Sequence, residues 1–365
     1  MDLKLTEEQI AVRDAFAALF RDESPPSRVR SAEASGFDEP LWHLYVSVGA
    51  LGVGVPPELG GDGGGLLDLA LVAEEAGRRL ASIPFVEAAA GARLLARLGA
   101  GELLAPVLDG SRIIAIATGT GPLERQVLSS GAIAHAALVL AGDSVRYVPR
   151  PAGLSSLPAA NVGALPLARW TGAGPGTPLA EAGASRAVSE RTVSERTVSE
   201  RALFERALDE VRVLRAAALA GLAAEAITIG ARYAATRHAF GQPIGAYQAV
   251  AHPLADAVTA TDGARLLTWK ACWALDAGRA NGPELAAMAF AFAAETAFHA
   301  AQHSLHVHGG YGFTQEYDIQ LYYRRAKAWA TVFADPRREL LTVADRRFGP
   351  AVIAGEQAAV AAGSS

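Results

Sequence analysis

The residues best placed to do chemistry lie in the C-terminal half. In RYAATRHAFGQPIGAYQAVAHPLAD, Arg237 and Gln248 stand on either side of a turn punctuated by Gly241, Pro243 and Gly245. A guanidinium near a helix end suits a pyrophosphate, because its planar fork offers paired donors and keeps its charge. Phe240, inside the turn, could lie against an adenine or flavin face. Taken alone, an Arg at such a turn is more often a surface residue.

A second candidate is HVHGGYGFTQEYD, from His306 to Asp318. Gly309, Gly310 and Gly312 permit positive φ or close approach of a ligand to the backbone, and the amides there can face an anion. The segment follows a helical pattern, whereas the dinucleotide-binding glycine fingerprint needs a preceding strand in a βαβ unit. A plain helix-to-helix turn is the alternative.

These segments need a scaffold, and composition bounds it. A chain of 365 residues, 51% hydrophobic and 19% charged, can bury a large core arranged in two or three units. A net charge of -5 and a pI near 5.9 offer phosphate backbones no basic face, which argues against nucleic acid. Cys272 stands alone, excluding disulfides within the chain and Cys-based metal sites. His303, His306 and His308 lack a zinc-protease pattern, so no metal is assigned. With no secretory h-region and no apolar run of membrane-spanning length, the chain reads as cytoplasmic.

Patterning predicts a helix over 5–22, opened by a capping box of Thr6 and Gln9. A second helix carries Leu41, Leu44, Tyr45 and Val48 and stops at Gly49, VPPELGGDGGG is loop, and LLDLALVAEEAGRRL is helix. Apolar runs at 113–117, 136–141 and 144–148 read as strands. From about 211 the chain is helical again. Between these units, RAVSE, RTVSE, RTVSE, RALFE and RALDE repeat in five pentads over 186–210. Each Arg precedes a Glu by four residues, as in Arg186 with Glu190 and Arg191 with Glu195, and a five-residue step builds no apolar stripe. The repeat therefore reads as a solvated linker or helix extension without chemistry. The expected division is 1–110 helical, 111–183 β, 184–210 repeat and 211–365 helical bundle.

In order, the LTEEQ helix, the VPPELGGDGGG loop, the ALVAEEAGR helix, the β unit, RHAFGQPIG and HGGYGFTQEYDIQLYYRRAK resemble the acyl-CoA dehydrogenase family over nearly the whole chain. The resemblance implies a mostly α fold: an N-terminal helical domain, a small β-barrel or sandwich and a C-terminal four-helix bundle. It also implies FAD, an acyl-CoA substrate, an electron-transfer acceptor and an oligomer. Arg237, Phe240, Gln248 and the loop His306, Val307, His308, Gly309 and Gly310 then become FAD contacts, usually to a neighbouring subunit's cofactor. The family usually has Gln where this chain has His306, and imidazole still makes one hydrogen bond.

The implied reaction is α,β-dehydrogenation, in which a carboxylate removes the α-proton while the β-hydrogen leaves as hydride to the flavin. The two positions that carry this carboxylate in the family fall on Phe333 and Val211, neither of which takes a proton. Glu210 and Asp335 are the nearest carboxylates and hence the candidate bases. Against this, Glu210 ends the repeat about 100° round a helix from Val211, and Asp335 before Pro336 reads as a helix N-cap. The flavin-facing stretch of the β unit is reduced to IATGTGPLE with Thr118, and no Trp occurs between Trp42 and Trp170. The chain thus keeps what is lent to a neighbour's FAD and has lost much of what holds its own. This suggests a subunit of a heteromeric acyl-CoA dehydrogenase, of the kind in actinobacterial steroid and side-chain degradation. A non-catalytic partner completing another chain's site, a flavin monooxygenase or nitroalkane oxidase relative, and an acyl-CoA-binding module are the alternatives.

Overall fold

The computed structural model describes residues 4–119, 121–179 and 198–349. Six helices come first: α1 (Glu7–Glu23), α2 (Pro26–Ser31), α3 (Glu39–Ser47), α4 (Leu66–Arg78), α5 (Phe85–Arg97) and α6 (Gly101–Leu108). Thr6 and Gln9 close the capping box that starts α1: Gln9 N donates to Thr6 Oγ1 at 3.2 Å and Thr6 N to Gln9 Oε1 at 3.1 Å. Thr6→Ala is expected to cost about 1 kcal/mol, read as a shift of the urea midpoint. Gly49 ends the second predicted helix at φ +77, and the glycine-rich stretch after Val55 is loop around a short 3-10 turn.

The strands are β1 (Ile114–Ile116), β2 (Ala136–Ala141), β3 (Ser144–Pro149) and β4 (Thr177–Pro178). They form one sheet in the order β1-β2-β3-β4, with β1 and β2 parallel and the other pairs antiparallel. The small β domain is therefore present as a four-stranded sheet, and no closure into a barrel occurs among the described residues.

The long helix α7 (Glu200–Thr236) then runs into a hairpin of β5 (His238–Ala239) and β6 (Gln242–Pro243), followed by α8 (Gln248–Asp276), α9 (Gly282–Val307), α10 (Ile319–Phe333) and α11 (Pro336–Phe348). One 18-residue window of α7 is apolar enough to cross a bilayer, but 83% of it is buried inside the protein, as befits a core helix. It packs against α4, α5, α8, α9 and α10. Where α4 crosses α7 the backbones meet directly: a Cβ on Gly77 would clash with the Ala218 carbonyl, and one on Gly221 with the Glu74 carbonyl.

The repeat contributes more than a linker. Pairs Arg186–Glu190 and Arg191–Glu195 lie outside the described residues, but the last two pentads form the opening turns of α7. Glu200 accepts from Val145 N at 2.6 Å and from Ser144 Oγ at 3.1 Å, and Arg201 pairs with Asp143 at 2.7 Å, fastening α7 to the β2–β3 turn. Arg206 and Glu210 pair at 3.2 Å in a buried cluster, which the reading of a solvated repeat did not anticipate.

Candidate functional site

The middle of α7, the start of α5, the end of α10 and the β unit converge on a cavity of ≈ 10 Å³, space for roughly one water. Ile116, Thr118, Val127, Ser129, Val211, Val332 and Phe333 line it with Glu87 and Arg215. Both residues that the resemblance put at base positions are here, and both are buried and apolar. Phe333 packs edge-on against Phe290, with ring centroids 5.4 Å apart, and the Arg212 and Arg215 guanidiniums lie 5.2 and 5.9 Å from its centroid. The aromatic ring occupies the position and the two cations cover it.

The carboxylate that lines the cavity is Glu87, which sequence reasoning missed. It pairs with Arg215 and accepts from Ser129 Oγ at 2.5 Å. A signal existed: Glu87 is the sole acidic residue in the Ala-rich FVEAAAGARLLAR, and Arg215 interrupts a comparably apolar stretch of α7. Buried charges on such helices need partners, and these two supply each other's.

Glu210 does not reach this cavity. It is fully buried on another face of α7, held by Arg93 at 3.1 Å, Arg97 and Arg206 at 3.2 Å. Burial by itself would raise its pKa, but the surrounding guanidiniums outweigh that and hold the carboxyl down at about 2. Asp276 joins the cluster, 3.1 Å from Arg93 and 3.3 Å from Arg206, and accepts from Leu66 N at 2.6 Å. A carboxylate so bound is a poor proton acceptor, so the expectation that Glu210 is the base is corrected to a structural ion cluster tying α5 to α7 and α8. Asp335 is likewise an exposed N-cap, accepting from Arg337 N at 3.0 Å, and lines a different groove of ≈ 710 Å³ between α8, α9, α10 and α11. Its candidacy as base is corrected for that reason.

The two C-terminal motifs do come together. Arg237 caps α7, its N–H donating to Tyr233 O at 2.9 Å, and the His308 ring at the end of α9 stacks on Tyr233 with centroids 4.1 Å apart. His308 Nδ1 meets Ser304 O at 2.7 Å, and burial lowers its affinity for a proton. Its side chain therefore faces the protein and serves the packing of this corner, unlike the solvent-facing His306. Arg237 and Gln248 are exposed, and Arg237 makes no ion pair with a described residue. Phe240 is 97% exposed at φ +51, a conformation costly for a side chain of this size. Val307 is half-buried, Gly309 has φ +60, and among the described residues neither Gly309 nor Gly310 has a non-neighbouring atom within 4 Å of a would-be Cβ. A cation, an aromatic ring and an open stretch of backbone thus share one outer corner.

Comparison with known proteins agrees with this organisation. The acyl-CoA dehydrogenase N-terminal domain family matches residues 6–110 and the C-terminal domain family residues 201–332. The acyl-CoA dehydrogenase IpdE2 of Mycobacterium tuberculosis is 33% identical over 92% of this chain and 95% of its own, and the benzylmalonyl-CoA dehydrogenase of Aromatoleum aromaticum 28% identical over 89% and 93%. Among solved structures, a chain of the ChsE4-ChsE5 complex from Mycobacterium tuberculosis superposes with a TM-score of 0.79 at 26% identity, covering 94% of this chain and 98% of that one. The chain belongs to the acyl-CoA dehydrogenase family, whose members are FAD-dependent oxidoreductases.

Proposed function

We propose that this chain is one subunit of a heteromeric acyl-CoA dehydrogenase and that it completes the FAD site of a partner chain that carries the catalytic base. The observation that supports this most directly is the cavity of ≈ 10 Å³ with Val211 and Phe333 at the base positions: it has neither a free carboxylate nor room for a thioester against a ring system. The relatives lend support, since one solved neighbour is a complex of two named chains, ChsE4 and ChsE5, and another is described as the steroid acyl-CoA dehydrogenase Tcur3481-Tcur3483.

In this reading Arg237 offers its fork to the pyrophosphate of FAD, Phe240 lies against a ring of the cofactor, and Gln248 adds a hydrogen bond. The backbone of Gly309 and Gly310, with the His306 side chain beside it, approaches the adenosine end. His308 acts at one remove, its stack on Tyr233 holding the two motifs in register. The exposure of Arg237 and Phe240 fits this use, since such groups are covered only by a second chain. FAD held there would supply the hydride acceptor for the β-hydrogen of the acyl-CoA, and a carboxylate of the partner would take the α-proton. The substrate is a CoA thioester, the electrons leave to an electron-transfer acceptor, and the setting is cytoplasmic.

Purified alone, the chain is expected to be colourless and unable to oxidise acyl-CoA. Co-expressed with an acyl-CoA dehydrogenase chain that carries the glutamate missing here, it should form a yellow complex. Arg237→Ala should lower the FAD content of that complex at least about ten-fold, the loss of one charge-assisted contact pair. Stoichiometric FAD and turnover in the isolated chain would defeat the proposal.

A further inference from the structure

A second cavity, of ≈ 80 Å³, lies where α4, α5, α7 and α10 meet the β unit. Two buried guanidiniums reach its wall: Arg215 from α7 and Arg325 from α10, only 7% and 2% exposed. Arg215 has Glu87 as counter-ion. Arg325 has none among the described residues, since the nearby Glu33 is taken by Arg324.

Arg325 is held in place by neutral groups. It donates through Nη1 to the Leu80 carbonyl and through Nη2 to Ser82 Oγ at 3.1 Å. Leu80 adopts φ +52, a left-handed conformation that costs on the order of 1 kcal/mol or more for such a residue and here serves to aim its carbonyl at a cation. The Nε–H groups of Arg325 and Arg215 are both buried without a hydrogen-bond partner among the described residues. Burial pulls the pKa of Arg325 down only to about 10, so it stays charged at neutral pH. Two guanidiniums and one carboxylate leave the wall with one uncompensated positive charge, in surroundings where an unpaired charge is expensive.

We propose that this cavity is a binding site for a small carboxylate, neutralised by Arg325 and secondarily by Arg215. The planar fork matches a carboxylate in shape, the charges cancel, and the free Nε–H gains an acceptor. Ser82, Ser129 and Ser130 at the wall supply further hydrogen-bonding groups. The volume lies between the space one water needs and the roughly 150 Å³ that accommodates benzene, which fits an acid of two or three carbons or the acid end of a longer molecule. The site adjoins the smaller cavity around Phe333 and shares Glu87, Ser129 and Arg215 with it, whereas Arg325 lines the larger cavity and not the smaller one.

Calorimetric titration of the full chain with acetate against acetamide tests the free acid, and monomethyl succinate against dimethyl succinate tests a carboxylate at a chain end. Saturable binding of either acid, with none by its neutral counterpart, is the expected result, and which acid binds identifies the source. Arg325→Met should weaken that binding at least about ten-fold, because one charged, forked partner is lost. Should the variant not fold, the wild-type comparison still decides. No saturable acid binding to the wild type, equal binding of acid and neutral analogue, or full binding by a folded Arg325→Met protein would each overturn the site.

Discussion

Glu210→Gln is expected to destabilise the protein by about 3–5 kcal/mol at pH 7, the cost of removing one partner from a buried ion cluster. The glutamate is fully buried and meets Arg93, Arg97 and Arg206, so the substitution leaves three guanidiniums facing a neutral amide, with Asp276 alone to balance them. A pH dependence follows. The carboxyl sits at about 2 in the folded protein against an ordinary 4.5, a difference worth about 3 kcal/mol. A depressed carboxyl contributes its full stability above the unfolded value and loses it as the pH falls through the folded one. The wild type should therefore weaken progressively between about pH 5 and pH 2, and the variant should show a shallower decline over the same window. Urea midpoints measured across that range check both statements. A variant of wild-type stability would show that the cluster is not the structural tie described here. The same protein separates the two roles considered for this residue. A structural Glu210 predicts that whatever FAD binding the folded variant supports in complex stays normal per folded molecule, whereas a catalytic base would lose turnover with the fold intact.

The second large effect is expected at the crossing of α4 and α7. Gly221→Ala should cost about 3 kcal/mol or more, at or above the upper end of the usual overpacking range. The added methyl meets the Glu74 carbonyl and the neighbouring backbone, not the end of a flexible side chain, so relief requires the helices to separate. Separation would in turn disturb Ala218 against Gly77 on the same crossing and the ion pairs of Glu74 with Arg78 and Arg265. Gly101→Ala is the matched control. Gly101 opens α6, is exposed and has open space around it, so its replacement should change stability by no more than about 0.5 kcal/mol, with helix propensity favouring Ala. Denaturation midpoints of the two variants should differ sharply. Equal midpoints would mean that the close helix approach is not maintained in solution.

The sequence determined a good deal about this protein. Local signals were self-sufficient where the physics is local: Thr6 with Gln9 closes a capping box because both groups sit within one turn, and the strands at 136–141 and 144–149 form where β-patterned apolar runs are cut by Gly142 and Asp143. The Arg237 and Gly309 motifs were legible because glycines, a proline and a solvent-facing cation announce themselves by composition. The resemblance also put Val211 and Phe333, neither a carboxylate, at the two alternative positions where family members carry the base.

Tertiary structure decided the rest, because the charge of a side chain has no meaning for function until its neighbours are known. Glu210 and Arg206 looked like the tail of a solvated repeat, yet Arg93 and Arg97, more than a hundred residues away in sequence, turn that tail into a buried cluster. Glu87 and Arg215 looked like isolated charges in apolar helices and became an ion pair across 128 positions. Arg325, unremarked in the sequence, is the buried cation that lacks a counter-ion among the described residues and lines a cavity of ≈ 80 Å³. Desolvation makes each of these charges demand a partner, and only the packing of α5, α7, α8 and α10 says which partner is present and where one is still missing.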